Sequence, residues 1–185
     1  MGKMRLGKHH VTYEGDGVSE AYRRLARLAM GLAMRSRSLR SFLFGLPPSR
    51  LRMLLGNTFF VGVTDVLTDP TSRAAGRIYR LGIQPDAEMS FFGMATYRGP
   101  DAWRATMGDW IETFRGSTFV LEESVSPPGS NVVYGVLRVQ GQAASGNLSL
   151  GDRVYAVLQV ERGMMASAGF YTDRPKALKA AGLSE

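Results

Sequence analysis

The chain reads as an α+β domain, with helices packed on a curved, mixed or antiparallel sheet and a basic helical extension in front. Three observations predict this. Apolar residues recur at helical spacing through the first half, up to about residue 81, and again over 103–114. From Thr118 the period changes to two. The strand-length runs after that point are parted by Pro127-Pro128-Gly129, Ser145-Gly146-Asn147 and Glu161-Arg162-Gly163, turn chemistry that suits antiparallel hairpins. A chain of 185 residues is long enough to bury one sizeable core.

The elements follow in order. Residues 1–17, with Gly2, Gly7, Gly15 and Gly17, show no period and are expected to form a flexible tail. Ser19 is placed to cap a helix in which Tyr22, Leu25, Leu28, Ala29 and Leu32 make one apolar stripe flanked by Arg23, Arg24, Arg27 and Arg35. A further basic run to Arg40 and the apolar cluster Phe42, Leu43, Phe44 and Leu46 end at Pro47-Pro48. Ser49 is placed to cap a helix over about 50–67, and a shorter helix over about 71–81 follows Pro70. A strand is expected from about Pro85 to Phe92, and a short extended piece at 95–98. A third amphipathic helix then carries Trp103, Met107, Trp110 and Phe114. Strands are expected at 118–125, 131–143, 152–160 and 165–171, then a helix over 175–181 stopped by Gly182. The expected division is residues 1–47 as the extension and 48–185 as the domain.

Composition excludes several chemistries. There is no cysteine, which removes disulfides, thiolate zinc sites and cysteine nucleophiles. The two histidines, His9 and His10, lie near the N-terminus, so the body has no histidine for a catalytic dyad or metal site. No phosphate loop, dinucleotide fingerprint or carboxylate-rich metal spacing is present, and no cofactor is expected. Lys and Arg number 23 against 16 Asp and Glu. The excess is one-sided: residues 1–55 hold 11 basic and 3 acidic side chains (+8), and residues 56–185 hold 12 and 13 (−1). The basic helix has two readings: it lies on an anionic membrane surface or acidic partner, or it docks its leucine stripe on the domain and solvates its arginines. The second is favoured, because such helices commonly cover cores. Nucleic acid is disfavoured as a partner, since aromatic residues do not interleave with the basic ones. No apolar run approaches a membrane span and no secretory signal is evident, so a cytoplasmic setting is expected.

Three segments carry a resemblance: Gln84-Pro-Asp-Ala-Glu-Met89, Tyr97-Arg-Gly-Pro-Asp-Ala-Trp103 running into a helix, and Gly169-Phe-Tyr-Thr-Asp-Arg-Pro-Lys-Ala-Leu-Lys-Ala-Ala-Gly182. In this order and spacing they resemble the nuclear transport factor 2-like superfamily, in its SnoaL-like (polyketide-cyclase-like) branch, over about residues 49–185. The resemblance implies a cone-shaped helix-plus-sheet domain with a pocket in its hollow end, and homodimers through the sheet. The superfamily holds isomerases, cyclases, epoxide hydrolases and non-catalytic proteins, so the pocket residues must decide the function.

Strand alternation gives a set of expected pocket residues. Met89 and Phe91 come from the first strand, Trp110 and Phe114 from the third helix. Tyr134, Arg138 and Gln140, with Val132 and Val136, come from the long strand. Tyr155 and Gln159, with Val157, come from the next, and Phe170, with Ala168 and Thr172, from the last. A register slip of one residue would invert each list. Arg138, a guanidinium within an apolar strand, is either a clamp for a carboxylate or other oxygen-rich ligand group, or an exposed sheet-face arginine or a dimer-interface ion pair.

The resemblance can be tested position by position. Limonene-epoxide-hydrolase-like members need an Asp-Arg-Asp set; Arg138 matches the arginine, but Gln140 and Phe170 stand where the carboxylates should be, and Met89 and Phe91 replace the tyrosine and asparagine that hold water. Ketosteroid-isomerase-like members need an Asp base where Met89 or Ser90 stands; Tyr155 lies near the position of the oxyanion-hole acid. SnoaL-type cyclases pair an acid with a histidine; no histidine exists here, and Asp173 is better placed to cap the last helix. Three readings remain. The first is a domain that binds a hydrophobic small molecule, without an assignable reaction. The second is a cyclase- or isomerase-like enzyme using Tyr155, Tyr134 and Arg138, which requires a tyrosine of depressed pKa. The third is a dimeric scaffold tethered to a membrane or partner by its basic helix.

Overall fold

The computed structural model describes residues 3–6, 10–14, 19–47, 49–67, 73–113, 118–127, 130–140 and 153–183. Two strands, β1 (Lys3–Leu6) and β2 (His10–Glu14), come first. Four helices follow: α1 (Glu20–Arg35), α2 (Arg37–Gly45), α3 (Arg50–Leu67) and α4 (Arg73–Gly82). Next come β3 (Ile83–Phe91), β4 (Ala95–Arg98) and α5 (Gly99–Thr113). Then β5 (Thr118–Val125), β6 (Val132–Gln140), β7 (Arg153–Glu161) and β8 (Met164–Tyr171) lead into α6 (Arg174–Ala181). The strands make one sheet in the order β1-β2-β5-β6-β7-β8-β3-β4. All neighbours pair antiparallel except β3 with β8, which is parallel, so the sheet is mixed.

Local chemistry sets the helix ends. The Ser19 hydroxyl accepts from the Tyr22 N–H at the start of α1, and Glu20 sits in the first turn. Ser36 serves twice: its N–H donates to Ala33 at the end of α1, and its hydroxyl caps α2 through Leu39. The Ser49 hydroxyl accepts from the Arg52 N–H at the start of α3. The Asp173 carboxylate accepts from the Lys176 N–H at 2.8 Å, and Gly182 closes α6 in the left-handed conformation. Asp173 therefore caps a helix, as its position in the sequence suggests.

Two cores lie on opposite faces of the sheet. On the inner face, Met89, Phe91, Leu121, Leu137, Val154, Ala156, Ala168 and Met165 meet α1, α3, α4 and α5 through Ala26, Met30, Met34, Met53, Val61, Ile78 and Trp103. On the outer face, Tyr134, Val136 and Val157 are covered by Ala177, Leu178 and Ala181 of α6.

Three sequence expectations are corrected. First, part of the 1–17 segment is not a tail: β1 and β2 form a hairpin that pairs with β5 and lengthens the sheet. Second, the leucine stripe of α1 faces outward. The buried side of α1 is Ala26, Met30, Ala33 and Met34, while Leu25, Leu28 and Leu32 are exposed. The two sides are separated by about 150° at 3.6 residues per turn. That side packs because α1 crosses α3 closely at Gly62: a Cβ there would stand 2.5 Å from the Ala26 carbonyl oxygen and 2.8 Å from the Met30 Cβ. Leucines on that face would hold the helices apart. Third, the inward sets on β6 and β7 are inverted. Tyr134 and Arg138 on β6 pair with Val157 and Arg153 on β7, and all four lie on the outer face with Tyr155 and Gln159. Because α6 buries part of that face, both faces of β6 and β7 are apolar, and alternation cannot tell them apart.

Candidate functional site

The inner face gathers an aromatic cluster between the end of β3, β8 and α5. Phe91 and Phe170 are partners across the parallel β3–β8 ladder, and their rings stack at 4.8 Å between centroids and 9° between planes. Trp110 of α5 stands edge-on to both, 4.6 Å from Phe91 and 5.2 Å from Phe170. Phe92 joins at 5.8 Å from Trp110. Successive strand residues normally point to opposite faces. Phe92 escapes that rule because its φ is +52°, and its N–H donates to the Phe170 carbonyl at 2.7 Å. Trp103, one helix face further back, is fixed by donating its indole N–H to the Ala87 carbonyl at 3.2 Å. Met89 and Phe91 are fully enclosed, whereas Phe92, Trp110 and Phe170 keep part of their surface open.

A polar group lies on the same inner side. The Thr58 hydroxyl donates to the Leu54 carbonyl at 2.7 Å, so at 2.6 Å from Tyr22 it accepts that residue's phenolic proton. The Asn57 amide in turn donates to the Tyr22 oxygen at 3.2 Å. Tyr22 packs against the same inner core as Trp110, Phe92 and Phe170. Sequence reading did not single out Tyr22 as polar, Asn57 or Thr58. Their signal was the Asn-Thr pair within the otherwise apolar run 53–63 of α3.

The predicted site residues divide between the two faces. Met89, Phe91, Trp110 and Phe170 come together inside. Tyr134, Arg138, Tyr155 and Gln159 lie outside, which corrects the expectation that they line one pocket with the first group. Phe114 lies outside the described residues; Gln140 ends β6, and its side chain is likewise outside them. On the outer face Arg138 makes an ion pair with Glu122 at 3.2 Å, and the other carboxylate oxygen of Glu122 takes Arg153 at 2.7 Å. A bulge between Leu121 and Glu123 creates the site for Glu122. Arg138 is thus a partly exposed arginine on the outer sheet face, ion-paired within its own chain.

Tyr134 and Tyr155 stack at 6.4 Å on that face. Burial pushes the Tyr134 phenol above its ordinary range, with Arg174 opposing. That is opposite to the depressed pKa that a Tyr/Arg acid–base mechanism needs. A groove of about 190 Å³ lies further along the outer face, lined by Ser90, Thr96, Gln159, Ser167, Tyr171 and Ala180 among others. Among the described residues no group of three or more His, Asp or Glu side chains could hold a metal ion.

Comparison with known proteins gives likeness of structure alone. No protein-family profile and no curated protein sequence matches the chain. Among solved structures, the chain is similar to a nuclear transport factor 2-like protein from Burkholderia thailandensis, with 23% identity over 68% of this chain and 92% of that one and a TM-score of 0.48. It is similar to a SnoaL-like candidate polyketide cyclase from Jannaschia sp. CCS1 at 14% identity, over 65% and 87% of the two chains, TM-score 0.48. A protein of ketosteroid isomerase-like fold from Catenulispora acidiphila, solved with trimethylamine, matches at 14% identity over 66% and 92%, TM-score 0.47. The chain is thus an α+β domain similar to solved nuclear transport factor 2-like and SnoaL-like structures, as its three sequence motifs suggested.

Proposed function

We propose that the domain binds a small, largely apolar molecule against the aromatic cluster of the inner face. One observation carries this reading: Phe92, Trp110 and Phe170 converge at ring distances of 5.2 and 5.8 Å about Trp110, yet all three keep open surface. Rings that served only to fill a core would be closed like Phe91 and Trp103. Half-buried aromatic side chains between a sheet and a helix suit a planar or aromatic ligand. Tyr22, Asn57 and Thr58 offer one hydrogen-bonding group beside an apolar wall, which suits a ligand bearing a single hydroxyl or carbonyl.

The test uses Trp110 as its own reporter. In a Trp103→Phe background Trp110 is the sole tryptophan, because the chain holds two. Titration with 4-bromophenol, a heavy-atom quencher, is expected to quench its fluorescence to saturation. Phe170→Leu in the same background should raise the apparent Kd several-fold at unchanged fold, checked by circular dichroism. Linear quenching that matches free N-acetyltryptophanamide would refute the reading.

A further inference from the structure

Helix α1 is apolar on two sides, and only one is used for packing. Its inner side, Ala26, Met30, Ala33 and Met34, is in the core. Its outer side carries Leu25 at 57%, Leu28 at 70% and Leu32 at 58% exposure. These three follow the i, i+3, i+7 spacing of a single helix face. In the following helix Phe42 is also exposed, at 62%. Exposed leucines occurring singly need no explanation, but three on one face of one helix do.

The charge around this stripe selects the occupant. Arg24 and Arg35 border it, both exposed, and Arg37 follows at the start of α2. The sole acidic residue of α1, Glu20, is already neutralised by Arg24 at 3.2 Å and Arg27 at 3.3 Å. Residues 1–55 carry +8 overall, while the remainder is close to neutral. Two copies of this face would repel each other, so a second copy of the chain is a poor occupant. A surface that is anionic and apolar just beneath satisfies both features. No helix among the described residues is long and apolar enough to cross a membrane, so such contact is interfacial. We infer that the outer face of α1 docks the protein on an anionic lipid bilayer, with Leu25, Leu28 and Leu32 inserted at the headgroup boundary and the flanking arginines on lipid phosphates.

The experiment is co-sedimentation of the full chain with vesicles of equal phosphatidylglycerol and phosphatidylcholine, against vesicles of phosphatidylcholine alone. Wild type is expected to pellet with the anionic vesicles and to be released by high salt. The triple variant Leu25→Ala, Leu28→Ala, Leu32→Ala keeps helix propensity and touches no core residue; it should bind about tenfold more weakly or worse at an unchanged Tm. Arg35→Glu with Arg37→Glu should weaken binding and flatten its salt dependence. A Leu28→Trp reporter should be quenched by lipids brominated on their acyl chains. Absence of wild type from the anionic pellet would overturn the proposal. So would equal pelleting of the triple alanine variant, or an unquenched Trp at position 28. A wild-type dimer that becomes monomeric in the triple variant without lipid would assign the stripe to a second copy, and so would also overturn it.

Discussion

The Arg40 guanidinium donates to the carbonyl of Gly163 at 2.7 Å, tying α2 to the turn between β7 and β8, 123 residues further on. The same side chain donates to Ala33 and Met34 at the end of α1, each at 3.1 Å, and to Leu81 near the end of α4 at 2.8 Å. Arg40 is 4% exposed. It has carbonyls rather than a carboxylate as its recorded partners. The last carbonyls of two helices supply the negative ends of two helix dipoles. Five donors in a rigid fork allow one residue to reach four acceptors on three elements. Burial and the nearby Arg37 lower its pKa from the ordinary arginine value; a guanidinium stays charged nonetheless. This one residue fastens the N-terminal helices to the sheet.

Arg40→Met should therefore destabilise the whole chain and not α2 alone. Four carbonyls lose a donor, and a buried unsatisfied polar group costs about 1–3 kcal/mol. Some will find water, so a net loss of roughly 3–4 kcal/mol is expected. Arg40→Lys should recover only a minor part, because a single ammonium cannot span the same acceptors. Urea denaturation of the three proteins checks this, with a shift in midpoint at unchanged slope as the expected outcome.

Gly163 is constrained on both sides of that bond. Its φ is +75°, and a Cβ there would lie 2.7 Å from the Arg40 Cβ and 2.7 Å from the Ser41 amide nitrogen. Gly163→Ala adds left-handed strain of about 1–2 kcal/mol to a clash with backbone that cannot swing away. A loss above 2 kcal/mol is expected. Since both substitutions break the same contact, Arg40→Met with Gly163→Ala should cost less than the two single losses together. A double-mutant cycle measures that difference.

From Ser19 onward the order of helices and strands was legible in the sequence because each period and each stop signal was local; the β1–β2 hairpin, in a segment without a period, was not. The bounds 50–67 and 118–125 coincide with α3 and β5. What could not be read was which face of a two-sided element is used. Alternation placed Met89, Phe91 and Phe170 inside, where they are. It failed for Tyr134, Arg138, Tyr155 and Gln159 because α6 makes their face apolar as well. It also failed for α1, where three leucines outweigh two alanines and two methionines in any hydrophobicity count, but the side that packs is the one that meets α3 closely at Gly62. Arg40 gave no signal at all: one arginine in a basic run looks like its neighbours until the fold brings four carbonyls to it.

Arg138 offers a direct separation of structural from ligand-binding roles. Glu122 bridges it to Arg153, and these side chains are a quarter to a half exposed. Paired charges at such exposure contribute little, about 0–1 kcal/mol. Arg138→Met should thus shift stability by no more than about 1 kcal/mol and leave 4-bromophenol quenching of Trp110 unchanged. Glu122→Gln should do the same, with an effect that shrinks in high salt. Loss of quenching in Arg138→Met would reinstate the arginine as a ligand clamp.

Tyr79 supplies a pH signature of the core. It is 3% exposed in α4, and its hydroxyl meets no partner among the described residues. Burial pushes its phenol up from 10.0 to about 12, with Arg104 opposing. Below pH 10 the phenol is protonated in both folded and unfolded chains and contributes no pH dependence. Between about 10 and 12 the unfolded chain releases the proton while the folded chain holds it. The unfolded state then binds fewer protons, and stability falls as pH rises, by up to about 2–3 kcal/mol from this group. Tyr134 is displaced in the same direction by burial and adds to the fall. Tyr79→Phe should be neutral or slightly stabilising at pH 7, since it removes an unpaired buried hydroxyl. At pH 11 it should be clearly more stable than wild type. Urea midpoints of both proteins at pH 7, 9 and 11 decide the matter: the difference between them should open only above pH 10, and a constant difference would show that the phenol titrates alike in the folded and unfolded chains.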